Sequence, residues 1–248
     1  MSFNKPTPIP TIAKLKLADW KDFLVGTFKK ADKSIEDSIS NTILRFEKLT
    51  PNFKKSSKVL ILTEGHTFFP IFIASKYGSK LTVMCRSEEV AKQVLKDAKQ
   101  YEVEDLITAE KRDFNLTQFD YDQFDMAWSI GALYHKEEEL MPVLREIKRI
   151  LVPQGRFILC EMTSEDEEVQ TKLGVHSMDD ILRDGSKADL EKVYLKELTA
   201  ESKAHYNYIT ENVGKAGAKT ATELADVKSW VDADKLAWTF IQLQKRNA

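Results

Sequence analysis

Residues 58–62, "KVLIL", are apolar at every position after the lysine, and such a run suits a strand covered on both of its faces. The same constraint returns in "KLTVMC" (80–85), "FDMAWSI" (124–130) and "GRFILCEM" (155–162), and more weakly in "LITAEKRD" (106–113). Between these segments the apolar spacing changes to three and four residues. It predicts a helix over 69–78 stopped by Gly78, and one over 87–101 with Ser87 as N-cap and Val90, Val94, Leu95 and Ala98 on one face. A third, over 138–151, aligns Leu140, Leu144, Ile147 and Leu151 and takes Pro142 in its first turn, where a missing N–H costs no helix bond. Strand and helix in alternation predict an α/β class: a Rossmann-like doubly wound, mostly parallel sheet, with ligands bound at the C-terminal ends of its strands.

The flanks are organised differently. Three prolines in residues 1–10 predict a loose arm, and the apolar spacing from Leu15 to Phe46 predicts two amphipathic helices ending before Pro51. Residues 1–56 are therefore expected to form an N-terminal arm and helical extension, and 57–248 one structural unit with it. After Met162 comes an acidic, solvated run, "SEDEE" (164–168), and then a weakly structured stretch over 173–187. A strand over 190–198, helices over 200–216 and 221–231 and a closing strand over 236–245 bring the strand total to seven, with 163–234 as a helical cap inserted before the last.

Thirty-seven basic residues against 39 acidic ones leave a formal charge of −2, which gives no electrostatic case for nucleic acid or an anionic membrane as partner. No apolar run approaches the roughly 20 residues of a membrane span, and the polar N-terminus has no signal-peptide pattern. Two cysteines, Cys85 and Cys160, lie far apart and outside any metal-ligand spacing, so a reducing, cytoplasmic setting and no metal are expected.

"LREIKRILVPQGRFILCE" (144–161) resembles the arginine-rich helix, Pro-x-Gly turn and fifth strand of the class I S-adenosylmethionine-dependent methyltransferases. "YDQFDMAWSIGALYH" (121–135) is similar to their fourth-strand motif, and the likeness runs from about Thr50 to Lys245. Within the family, "WSIGALYH", the "HY" at 205–206 and the ending "KLAWTFIQLQK" look most like the small-molecule N-methyltransferases of the sarcosine/dimethylglycine type.

The resemblance implies a glycine-rich turn after strand one against the methionine half of S-adenosylmethionine, an acid ending strand two on the ribose hydroxyls, and an acid after strand three at the adenine. Laid on this sequence, the first pattern falls on residues 59–67. Its acid is Ile61, its first and third glycines are Thr63 and Thr67, and only Gly65 is kept. The ribose acid falls on Cys85, followed by Arg86 where an apolar residue is common, although Glu64 offers an acceptor nearby. Asp113 with Phe114 matches the adenine edge, and Ser129 lies at the family's site in strand four. A β-branched threonine where backbone must approach a ligand or take positive φ costs about 1–3 kcal/mol at each of positions 63 and 67, and loss of a charged acceptor roughly as much again. Even half their sum is about a hundredfold in affinity.

Tyr134 and His135, beyond strand four, are the candidate catalytic pair: His135 would orient substrate or act as a base, or else only cap the next helix. His205 and Tyr206 are candidate substrate residues on a lid helix, with a packing role as the alternative; His66 reads as a loop residue and Cys85 as a small apolar one. Two functions follow. The first is a methyltransferase-fold protein with a degenerate cofactor site, a non-catalytic subunit or regulator beside an active paralogue or in a homo-oligomer. The second is an active methyltransferase of a small amine or carboxylate with a rebuilt site.

Overall fold

The structure, a computed structural model, describes residues 54–64, 68–133, 140–212 and 218–246. The two helices expected before Pro51 lie outside the described residues. The elements are β1 (Lys58–Thr63), α1 (Phe68–Tyr77), β2 (Lys80–Cys85), α2 (Glu88–Gln100), β3 (Ile107–Lys111), β4 (Phe124–Ile130), α3 (Leu140–Ile150) and β5 (Leu151–Thr163). They continue as α4 (Glu167–Leu173), α5 (Met178–Lys187), β6 (Leu190–Glu197), α6 (Thr199–Asn212), α7 (Ala218–Asp232) and β7 (Ala237–Lys245). None of these helices is long and apolar enough to cross a membrane.

All seven strands join one sheet in the order β3-β2-β1-β4-β5-β7-β6, parallel from β3 through β5 and antiparallel where β7 pairs with β5 and β6. Successive side chains of a strand point to opposite faces, so β1 feeds two cores. Val59 and Ile61 pack with Ile71, Val94 and Trp128 beneath α1 and α2. Leu60 and Leu62 pack with Leu144, Ile147 and Ile181 beneath α3 and α5. This double burial is why "KVLIL" has no polar alternation. Chain order reverses between β1 and β4, which places a crevice at their C-terminal ends.

Two expectations are corrected. The stretch from 166 to 187 is not weakly structured, although Glu165, Glu167 and Glu168 are exposed as expected: Asp166 caps α4 by accepting from the Glu168 and Val169 amides, and Ser177 caps α5 by accepting from the Asp180 amide. Gly185 lies within α5, where an added Cβ would sit 3.1 Å from Leu243 Cδ1. Gly185 thus lets the helix pack close on β7. The Pro-x-Gly segment is likewise not a turn ahead of the fifth strand. It is an irregularity inside β5, where pairing with β4 jumps from Phe124–Leu151 to Met126–Arg156. Gln154 there takes φ 62°, and a Cβ on Gly155 would meet the Val152 carbonyl oxygen at 2.7 Å.

Candidate active site

Three strand exits meet at the crevice. Arg86 follows β2, Glu64 follows β1, and Ala132 lies just beyond β4. The Glu64 carboxylate accepts from the Arg86 amide at 3.0 Å and from its Nη1 at 3.3 Å. The same Nη1 donates to the Ala132 carbonyl at 2.6 Å, and the guanidinium stacks 4.1 Å from the centroid of the Phe114 ring. Because β1 lies between β2 and β4, the Arg86 side chain crosses the end of β1 over two strand spacings, about 10 Å. Both Arg86 and Glu64 are largely withdrawn from solvent.

Below this bridge lies Glu161 of β5, 2% exposed. It accepts from Ser129 Oγ, from the Ala132 amide at 3.2 Å and, through its other oxygen, from the Leu133 amide at 3.2 Å. The turn it grips begins with Gly131 at φ 55°, a left-handed conformation suited to glycine. Burial pushes the Glu161 carboxyl up to about 7, against the opposing pull of Ser129, the two amides and Arg86. Sequence reasoning missed this residue. A lone acid inside the apolar run "FILCEM" was the available signal, since an acid in a strand covered on both faces needs dedicated partners.

A second buried acid fixes the loop after β3. Glu146 of α3 accepts from the Thr117 amide at 2.9 Å and from its hydroxyl, and from Arg149 Nε at 2.7 Å. Arg112, whose amide donates to the Cys85 carbonyl at 3.0 Å, also donates from Nη1 to the Thr117 carbonyl. Together these contacts hold the segment carrying Asp113 and Phe114.

The expected site residues divide as follows. Thr63 is fully buried as the last residue of β1, paired with Ile130 in extended conformation, so the positive-φ strain expected of it does not arise: β-branched threonine suits a strand. Cys85 is fully buried, and burial followed by the Glu64 charge pushes its thiol up to about 12, far from thiolate reactivity. Ser129 and Phe114 are buried beside the bridge, while Asp113 is exposed and accepts from the Asn115 amide at 2.9 Å. Tyr206 packs with Val169, Val175, Val231 and Leu236, its hydroxyl 3.3 Å from Met162 Sδ. Gly65, His66, Tyr134, His135 and the side chain of His205 lie outside the described residues. Among the described residues no cluster of three metal-ligating side chains occurs.

Residues 65–159 match the model of the methyltransferase domain family. The match covers under half of the chain, whose sequence and fold are similar to those of class I S-adenosylmethionine-dependent methyltransferases. It is 26% identical over 147 residues to the sarcosine/dimethylglycine N-methyltransferase of Halorhodospira halochloris, a match covering 59% of this chain and 52% of that protein. The chain spans about half the length of the curated relatives it matches. The crystal structure assigned as a sarcosine dimethylglycine methyltransferase from Galdieria sulphuraria shares the fold, with a TM-score of 0.74 at 18% identity over 90% of this chain and 88% of that one. The geranyl diphosphate C-methyltransferase of Streptomyces coelicolor A3(2), solved with S-adenosyl-L-homocysteine, gives 0.69 at 11% identity over 86% and 81%.

Against a methyltransferase cofactor, the residues of this crevice fit at one end only. Asn115 Oδ1, beyond β3, is buried and accepts no hydrogen bond among the described residues, so it could receive an N–H from a ligand base. Cys85, where the resemblance puts the ribose acid, offers a buried thiol in place of a carboxylate, and the nearby Glu64 carboxylate is engaged by Arg86.

Glu161 and Glu146 set opposite pH dependences. The unfolded chain releases the Glu161 proton near 4.5 and the native chain near 7, so the native state holds more protons between them and stability falls as pH rises through that window. For Glu146, burial raises the carboxyl but the Arg149 and Thr117 hydrogen bonds together outweigh it and hold it low. Its contribution is full above about 4.5 and disappears as pH falls through its native value. Melting temperature is therefore expected to peak near pH 4.5 and decline toward 7, with the decline flattened in Glu161→Gln. A wild-type melting temperature that climbs over this interval contradicts the assignment.

Proposed function

We propose that this methyltransferase-like chain is a non-catalytic subunit or regulator, with a crevice that no longer holds S-adenosylmethionine effectively. The observation that carries the reading is the Arg86 side chain, laid from β2 to the Ala132 carbonyl across the end of β1 and balanced there by Glu64. A cofactor lying over the exits of β1, β2 and β4 would have to displace a charge-assisted hydrogen bond and a cation–π stack, and would meet the Cys85 thiol and a Glu64 carboxylate already engaged by Arg86. Fold alone does not argue against this, since one scaffold serves many functions. The family partner it would act beside is an active paralogue or a second copy of the chain.

The second reading, an active methyltransferase of a small amine or carboxylate, draws on the likeness to N-methyltransferases and on the unfilled acceptor of Asn115. Calorimetric titration with S-adenosylmethionine and S-adenosylhomocysteine separates the two. Dissociation constants weaker than about 100 μM are expected, and tighter binding of either ligand removes the non-catalytic reading.

A further inference from the structure

One peptide unit joins the two charged groups of the crevice. The carbonyl of Ala132 and the amide of Leu133 belong to the same planar group, whose C=O and N–H point in opposite directions. The carbonyl accepts from Arg86 Nη1 at 2.6 Å, and the amide donates to Glu161 Oε2 at 3.2 Å. A cation therefore sits at one end of this peptide and a carboxyl at the other, each polarising it in the sense that strengthens the opposite hydrogen bond. Resting on the reading of Arg86 as the barrier in the crevice, we infer that Glu161 is a positioning residue: through the Ala132–Leu133 peptide, its ionisation sets how firmly Arg86 closes the site.

Among the described residues, the surroundings of Glu161 leave few other charges to carry the effect. From β4 it meets the Ser129 hydroxyl, from the turn after β4 the amides of Ala132 and Leu133, and from the exit of β2 the Arg86 guanidinium. Its neighbour on β5 is Cys160, a thiol that burial pushes upward and so keeps neutral, and its partner across β7 is Thr239, whose hydroxyl lies 2.6 Å from that of Thr163. The far end of the bridge is Glu64, which holds Arg86 from β1. When Glu161 takes up a proton, its hydrogen bonds lose the ionic share that makes charge-assisted bonds about twice as strong as neutral ones. The attraction of Arg86 toward Glu161 is lost as well. Both changes loosen the bridge on its β4 side and leave the Glu64 side intact.

The test titrates S-adenosylhomocysteine into wild type, Glu161→Gln and Arg86→Ala at one pH unit below and one above the value of about 7 that burial gives Glu161. Wild type is expected to bind about tenfold more tightly at the lower pH. Glu161→Gln should bind equally at both, at the tighter level, and Arg86→Ala should also lose the dependence. If Arg86→Ala binds no better than wild type at either pH, the barrier itself, and with it the observation behind the proposed function, is overturned. If Arg86→Ala binds tightly while wild type shows no pH dependence, or Glu161→Gln keeps it because a histidine titrates instead, the coupling is overturned and the barrier stands. A second measurement needs no Glu161 variant: in wild type the Leu133 amide and the Arg86 guanidinium nitrogens should shift in nitrogen-15 spectra with one common midpoint. Separate midpoints reject the coupling.

Discussion

Glu146→Ala is expected to lower the unfolding free energy by about 3 kcal/mol, the low end of the cost of stripping one partner from a buried ionic network. The low end applies because Arg149 keeps 24% of its side chain in solvent and can recover some hydration. What it cannot recover is the organisation of the loop after β3. Without the carboxylate, the Thr117 amide and hydroxyl lose their acceptor, and Arg149, which also donates to the Phe119 carbonyl at 2.7 Å, is left as a charge against the Phe119 backbone and the Tyr121 ring. Arg112, stacked 4.4 Å over Phe119, then remains on the Thr117 carbonyl, and the Phe119 amide on its hydroxyl. Urea denaturation with an unchanged slope measures the loss. A change below about 1 kcal/mol is the size of an exposed ion pair and defeats the claim that this network is buried. Because the same loop carries Asp113 and Phe114, the variant should also weaken whatever ligand the crevice accepts.

The second large effect is a gain. Combining Arg86→Ala with Thr63→Gly, Thr67→Gly and Cys85→Asp is expected to tighten S-adenosylhomocysteine binding by about a hundredfold or more over wild type. Removing Arg86 clears the span from β2 to β4, and frees Glu64 from the guanidinium; Cys85→Asp supplies a carboxylate where the fully buried thiol now ends β2. Some stability will be lost, since glycine within a strand costs about 0.5–1 kcal/mol. Calorimetry on the combined variant and on Arg86→Ala alone divides the gain between barrier and missing acceptor. If the combined variant binds no better than Arg86→Ala, the placement of the ribose acid on Cys85 is wrong.

The sequence made much of the scaffold legible because burial leaves a periodic trace. "VLIL" and "MAW" are continuous apolar runs because β1 and β4 are covered on both faces, and both strands lie within a residue or so of the expected bounds. Ser87 announced the start of α2, since its hydroxyl accepts from the Val90 amide. Legibility ended where local chemistry has two outcomes. Asp166 and Ser177 open solvated loops as readily as they cap helices, and only Val169 and Ile181, buried against the rest of the fold, decide for the helix. Position 63 was readable as a glycine site occupied by threonine, but the backbone simply extends the strand there.

What the sequence by itself determined is the α/β alternation and the resemblance to the methyltransferases, because each depends on residue type and spacing along the chain. What only the tertiary structure decided is the insertion of β7 between β5 and β6, and the meeting of Glu64, Arg86, Ala132 and Glu161 at one crevice. These four residues come from four strand exits separated by up to 97 positions, from 64 to 161. No local periodicity links them. A hydrogen bond across strands follows from strand order and register, which the pairing of the whole sheet fixes.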